Sequence, residues 1–166
     1  MDTIFVIDDK NYTDDMSLNE RFAVRAIVMR NGKYAVLQSA AGDYKLPGGG
    51  VEIGEDFKEA LAREILEETG LFVIESSVKE LGEVIEIRAD ELRSGYKFVQ
   101  HSYYFLCDVR EECTDIHMTD DEIAHGYEFK WVDLDEIINT NLKICKENWT
   151  FRDTRFLQWF QDKITE

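Results

Sequence analysis

Apolar residues recur along the chain in short runs separated by polar breaks. Ile4 to Ile7 is a brief apolar run flanked by acids and predicts a short first strand. Polar residues dominate from Asp8 to Glu20, which reads as loop. Arg21 to Arg30 (RFAVRAIVMR) is rich in apolar and β-branched residues and predicts a strand. Asn31-Gly32 follows, a pair suited to the positive φ angles of a tight hairpin turn, so Tyr34 to Ser39 is its return strand. Gly42-Asp43 reads as a turn and Tyr44 to Leu46 as a very short strand. Pro47, the only proline, leads into Gly48, Gly49 and Gly50, where the backbone is free to approach a ligand closely.

Asp56 to Thr69 has helical periodicity, with Gly70 placed to end the helix. Val78 to Arg88 and Lys97 to Val109 predict two long strands joined around Arg93-Ser94-Gly95. Arg110 to His125 is acidic and loop-like. Glu128 to Val132 predicts a last strand, Asp133 to Ile138 a short helix, and the stretch from about Arg152 to Ile164 a closing amphipathic helix. That helix offers Phe156, Leu157, Trp159, Phe160 and Ile164 for packing. Strands on both sides of a central helix, then a closing helix, imply an α/β fold with a mixed sheet between helices. No repeat or linker divides the chain, so 1–166 reads as one domain, with 1–19 as an N-terminal extension carrying the short strand and 151–165 as the C-terminal helix.

The central helix carries unusual chemistry. Successive residues turn by about 100°. With Glu64 at zero, Glu68 lies near about +40° and Glu67 near about −60°, so three acids share one side. Leu61, Ala62, Ile65, Leu66 and Thr69 occupy the arc from roughly +60° to +200°, a stripe expected to face the core. Arg63 lies beside Glu67. Partly buried carboxylates about 6 Å apart repel by roughly 3 kcal/mol at an effective dielectric of about 20. A cluster lining a cleft therefore needs a proton or a cation, and hard oxygen ligands suit Mg²⁺ or Mn²⁺. A solvated acidic face is the competing reading of the glutamates alone.

Composition sharpens this. The net charge of −16 argues against a nucleic-acid polymer or an anionic membrane as partner. It also means that an anionic substrate needs something positive to screen its approach. Cys107, Cys113 and Cys145 are odd in number and form no CxxC, which favours a reducing, cytoplasmic setting over a disulfide framework. Cys113 and His117 are spaced as a metal pair, but no second pair completes a zinc set. The N-terminal apolar run is too short for a signal peptide or a membrane span.

The stretch from Gly49 to Leu71 resembles the signature of the Nudix hydrolases: a glycine, five residues, a glutamate, seven residues, then R-E-apolar-x-E-E-x-G-apolar. Gly49, Glu55, Arg63, Glu64, Ile65, Glu67, Glu68, Gly70 and Leu71 fill every position, and Leu46-Pro47-Gly48 matches the usual lead-in. Trp131-Val132 leading to Asp133-Leu134-Asp135-Glu136 extends the likeness. The resemblance implies an α/β/α sandwich around a mixed sheet and cleavage of a nucleoside diphosphate linked to another moiety. It implies a divalent metal that neutralises phosphate charge and activates water. Glu67 and Glu68 are the expected main ligands, Glu64 a third ligand or the base, and Gly48 or Gly49 the source of a carbonyl. Arg63 is expected to hold a glutamate in its working rotamer. Glu55 supports either the metal shell or the loop, and Gly49 and Gly70 shape the box. A further metal carboxylate is expected from Glu128, with Glu122 second.

Substrate contacts are expected from Arg25 and Lys45. Gln38 stands where some relatives carry a phosphate-binding arginine. Between Val84 and Arg88 there is neither the proline found near there in ADP-ribose enzymes nor the tyrosine of dinucleoside polyphosphate enzymes. These absences tilt the expectation to a nucleoside triphosphate or a modified nucleotide. Phe98, Gln100, Tyr103, Trp149 and Phe151 are candidate base-recognition groups. His101, on a strand, reads as a hydrogen-bonded structural residue. The alternative is a nucleotide-sensing or partner-binding module with little chemistry, though intact Arg63, Glu64, Glu67 and Glu68 argue against it. A small-molecule nucleotide is the expected partner, and both a monomer and a homodimer agree with the pattern.

Overall fold

The computed structural model describes residues 1–144 and 147–165. Among these residues nine strands and four α-helices follow one another: β1 (Thr3–Asp8), β2 (Ser17–Arg30), β3 (Lys33–Gln38), β4 (Tyr44–Lys45), α1 (Phe57–Thr69), β5 (Leu71–Val73), β6 (Lys79–Ala89), β7 (Tyr96–Cys107), β8 (Val109–Cys113), α2 (Asp120–Ala124), β9 (Glu128–Val132), α3 (Leu134–Ile144) and α4 (Asn148–Thr165). A seven-stranded sheet runs β1-β6-β7-β2-β3-β4, with β9 also on β3. The β1–β6 and β2–β7 pairs are parallel and the other pairs antiparallel, so the sheet is mixed. A small second sheet pairs β5 with β8.

Each face of the large sheet is covered. On one side α1 presents Ala60, Leu61 and Ile65 to Val24, Ala26, Val28 and Phe105. On the other, α3 and α4 present Ile137, Phe156, Leu157 and Phe160 to Ile27, Val36, Val84 and Tyr104. The result is the expected α/β/α sandwich. Among the described residues, no helix is long and apolar enough to cross a membrane.

Local signals hold at the turns. Asn31 and Gly32 take φ of 52° and 77°, and Arg30 pairs with Lys33 across them. Asp56 caps α1 and forms a capping box with Glu59, while Gly70 ends it at φ 70°. Four expectations need correction. β2 starts at Ser17, because its first residues pair with β7 from Tyr96 onwards and polar side chains are tolerated on that half-exposed stretch. The acidic stretch after Arg110 is not all loop: it holds β8 and α2, the latter begun by a Thr119–Glu122 capping box. The helix predicted from Asp133 to Ile138 runs on as α3 to Ile144, and the closing helix begins earlier, at Asn148. Cys145 lies outside the described residues.

The buried arc of α1 is also rotated from its predicted position. Ala60, Leu61, Ile65, Glu68 and Thr69 are buried, whereas Ala62 is exposed. Glu68 therefore sits within the core-facing arc, not apart from it. The periodicity shared that arc only among apolar residues, and a buried carboxylate broke its premise.

Candidate active site

The site begins with the chain from Pro47 to Val51, which lies along β2. The Ala26 and Val24 amides donate to the carbonyls of Pro47 and Gly49, both at 2.9 Å, and the Val51 amide donates to Phe22 O at 2.9 Å. Only glycine fits this approach at position 48. Its φ is +138°, and a Cβ there would collide with the Val24 carbonyl. At position 49 a Cβ would run into the Glu64 carboxylate, so the missing side chain leaves that carboxylate its place.

Arg63 organises the flank of α1. Its guanidinium donates from Nε and Nη2 to both oxygens of Glu55 (2.7 and 2.9 Å), from Nη1 to Glu64 Oε1 (2.8 Å) and from Nη2 to the Gly50 carbonyl (3.0 Å). Glu67 stands 3.6 Å away. The bidentate bond from Arg63 is the main cause holding the Glu55 carboxyl below its usual range. Glu55 also accepts from the Glu52 amide at 2.9 Å, so it ties the loop to the helix through Arg63. The Glu67 carboxyl is raised, first by loss of hydration and then by the nearby Glu64 charge.

Glu68 is fully buried. It accepts from the Gly48 amide at 2.7 Å and from Lys45 Nζ at 2.8 Å. Lys45 also reaches Glu122 Oε1 at 3.3 Å and lies 4.6 Å from the centre of the Tyr127 ring. Burial pushes the Glu68 carboxyl up to about 8 despite Lys45. Burial acts on Glu122 in the same sense, but bonds from Glu68, the Thr119 amide and Lys45 outweigh it and hold that carboxyl at about 2. The two neighbouring carboxyls are thus driven in opposite directions, Glu68 up by burial and Glu122 down by its hydrogen bonds. Backbone bonds bring Glu122 there: the amides of Thr114 and His117 donate to the carbonyls of Gly70 (2.8 Å) and Glu67 (2.7 Å), folding the segment over the end of α1. Gly70 permits this, since a Cβ there would strike the Thr114 carbonyl.

The remaining sequence candidates divide. Arg25, Lys45, Gly48 and Gly49 line a cleft of about 770 Å³, as do Phe98, Gln100 and Trp149. Gln38 does not: it donates to Gly42 O and accepts from Lys130 beside β9. Glu128 pairs in register with Gln38, keeps 74% of its side chain exposed and has Lys130 as its ion partner at 3.9 Å. Among the described residues it bonds to no residue of the box, and Glu122 takes the place by Glu68 that was expected of it. Tyr103 stacks on Phe57 on the α1 face, and Phe151 lies outside the cleft beside Arg155. His101 bridges Glu83 and Glu20, as a structural strand residue does. Among the described residues no group of three or more His, Cys, Asp or Glu side chains is arranged to hold a metal ion; this covers Cys113 and His117 and equally Glu64, Glu67, Glu68 and Glu122, whose carboxylates are turned to Arg63 and Lys45.

Basic groups that the sequence did not single out lie on the cleft floor. Arg21, Gln100 and Glu86 form one row across β2, β7 and β6. Arg88 and Arg152 join them in the lining. Arg152 is neutralised by Glu86 (3.0 Å) and Asp153 (2.9 Å). Arg25 is 7% exposed, and among the described residues its guanidinium bonds only to the Val24 carbonyl, at 3.0 Å. Arg21 has much of its surface open, yet it is held below the usual arginine value, first by lost hydration and then by Arg25 and Arg152. Strand alternation put Arg21 and Arg25 on one face, a signal legible in RFAVR, but only the sheet order shows what they face.

These residues suit a divalent cation in kind. The donors are hard oxygens, and Lys45 already marks a point where Glu68 and Glu122 face a single positive charge. At present Arg63 and Lys45 supply the charge balance.

Comparison with known proteins agrees with this architecture. The NUDIX domain family model matches residues 19–160. The chain is 25% identical over 134 residues to the nucleoside triphosphatase NudI of Escherichia coli O81 (strain ED1a), covering 77% of this chain and 92% of that protein. Its fold is similar to a NUDIX hydrolase from Nitrosomonas europaea (TM-score 0.59, 20% identity, 82% of this chain and 87% of that one). It is likewise similar to a MutT protein from Methanosarcina mazei Go1 (TM-score 0.55, 23% identity, 89% and 96%). With a complete box running from the glycine loop through α1, the matching sandwich and a family model spanning most of its length, this chain belongs to the NUDIX domain family and is a Nudix hydrolase.

Proposed function

We propose that the protein is a Mg²⁺-dependent pyrophosphohydrolase of a nucleoside triphosphate or a modified nucleotide, releasing a nucleoside monophosphate and a second phosphate product. The observation that carries this reading is a cleft whose glycine wall backs onto the box acids. Gly48, Gly49 and Glu122 line it with Arg21 and Arg25, and behind the glycines Glu64 abuts Gly49 while Glu68 accepts from the Gly48 amide. A polyphosphate needs both the acids and the arginines. The family is typically dependent on divalent metal, and the triphosphatase named above supports the substrate class.

When bound, the cation supplies charge neutralisation and a more acidic water. Glu67, Glu68 and Glu122 are the side chains that would hold it, with Glu64 as a further ligand or as the acceptor of the water's proton. Arg63 keeps Glu64 against the gap at Gly49. Arg25, with donors that no described residue uses, binds a phosphate oxygen, and Phe98 and Trp149 on the cleft walls offer faces to a base.

The test is a panel of ordinary and oxidised nucleoside triphosphates, nucleotide sugars, dinucleoside polyphosphates and ADP-ribose, incubated with Mg²⁺ and resolved by chromatography. The reading expects a nucleoside monophosphate from a triphosphate. Preference for ADP-ribose would overturn the substrate class. One observation favours a second reading, a nucleotide-binding module with little turnover: both oxygens of Glu68 are already engaged by Lys45 and Gly48. Tight nucleotide binding with no product in Mg²⁺ or Mn²⁺ is the outcome that reading requires.

A further inference from the structure

Two of the residues that lead into the glycine loop, Tyr44 and Leu46, have backbone groups that the sheet does not satisfy. β4 pairs with β3 only through Tyr44 and Lys45. The Leu46 amide therefore has no ladder partner, and a buried N–H without one is costly. Two helices supply what is missing. Asn141 of α3 accepts from the Tyr44 amide (2.7 Å) and donates to the Tyr44 carbonyl (2.8 Å). Asp153 of α4 accepts from the Leu46 amide through Oδ2 at 3.0 Å. Thr150 of α4 holds the Asp43 side chain at 2.6 Å.

Asp153 is an expensive way to fill one hydrogen bond. It is fully buried, and its Oδ1 needs Tyr104 OH (2.9 Å) and Arg152 Nε and Nη2 (3.0 and 2.9 Å). Arg152, itself 2% exposed, then requires Glu86 at 3.0 Å. Buried ion clusters of this kind are often replaceable by apolar residues without loss of stability. What an apolar replacement lacks is the second oxygen on Leu46. From there the chain runs through Pro47, whose carbonyl is docked on β2, to the Gly48 amide, which sets the Glu68 carboxylate at 2.7 Å.

We propose that Asp153 is a positioning residue for the metal-binding acids: by fixing the Leu46 amide it sets the Gly48 N–H, and so the orientation of Glu68. The inference rests on the proposed function for its meaning, not for its test. Metal ligand supports of this sort are worth about 10- to 100-fold in metal affinity.

The test uses the whole chain, Mn²⁺ alone as probe, and amide hydrogen exchange at Leu46 and Gly48. Asp153→Asn is expected to weaken Mn²⁺ binding by about tenfold and to speed exchange at both amides, with α1 unchanged. Tyr104→Phe removes a donor to Asp153 without touching Leu46, so it is expected to lower the melting temperature and leave Mn²⁺ affinity as in wild type. Replacing the Leu46 amide by an ester removes only the N–H and is expected to reproduce the Asp153→Asn effect on Mn²⁺ and Gly48. It decides the matter if Asp153→Asn fails to fold. Wild-type Mn²⁺ affinity and Gly48 exchange in a folded Asp153→Asn or ester variant would overturn the proposal, as would an equal loss in Tyr104→Phe. A wild-type chain that binds no Mn²⁺ sinks the functional reading instead, and Gly48 exchange still decides the role of Asp153.

Discussion

Glu68 shows how far a single residue departs from its sequence reading. Its type and spacing announced a ligand, but its place inside the buried arc of α1 emerges only from the packing of helix on sheet. That burial has a measurable consequence. A carboxyl raised to about 8 keeps its proton in the folded state when the unfolded chain has lost it, so the metal-free protein should lose stability as pH rises from about 5 to about 8. Glu122, depressed to about 2, acts oppositely: its contribution is present above its unfolded value and is lost on acidification below about pH 4.5. Melting temperatures across this range check both signs, and saturating Mg²⁺ is expected to flatten the neutral limb by favouring the Glu68 anion. A flat metal-free profile from weakly acidic to neutral pH would contradict the assignment. At Arg63, substitution by alanine frees Glu55 and Glu64 together and is expected to cost about 10- to 100-fold in activity, which steady-state kinetics would reveal.

Among the elements, α1 was legible because cap, periodicity and terminal glycine agreed, and the hairpin at Asn31-Gly32 was legible because its turn chemistry is local. The capping box at Thr119 was written in the sequence too, but a five-residue helix carries too little periodicity to stand out from an acidic stretch. β2 was read short because strands are recognised by apolar faces, and its first residues, from Ser17 to Arg21, are mostly polar. The glycine loop offers the cleanest element-level test. Gly49→Ala brings a methyl against the Glu64 carboxylate without requiring an unusual φ. It is expected to reduce kcat sharply while circular dichroism stays native. Asp56→Ala is its counterpart: loss of the cap should lower stability by about 1 kcal/mol, seen as a lower melting midpoint, with little change in KM.

At the scale of the molecule, the proposed polyphosphate substrate has to be reconciled with a net charge of −16. The cleft lining is balanced, with Glu86, Asp90, Glu91, Asp121, Glu122 and Glu147 beside its basic residues, and the order β6-β7-β2 gathers Arg21, Arg25 and Arg88 into it. That gathering depends on long-range strand pairing, which no local pattern encodes, whereas the box could be read because Gly49 to Leu71 is one continuous stretch of chain. Arg25→Gln should therefore raise KM by about tenfold with little change in kcat, a split that would not arise if Arg25 served folding alone. The account stands or falls on the acids between positions 64 and 68 as a seat for a divalent ion. Mn²⁺ titration monitored by electron paramagnetic resonance, in wild type and in Glu67→Gln, addresses that seat directly. Saturable binding by the wild type, weakened at least about tenfold by the substitution, is the predicted result; equal affinity in the two proteins would contradict it.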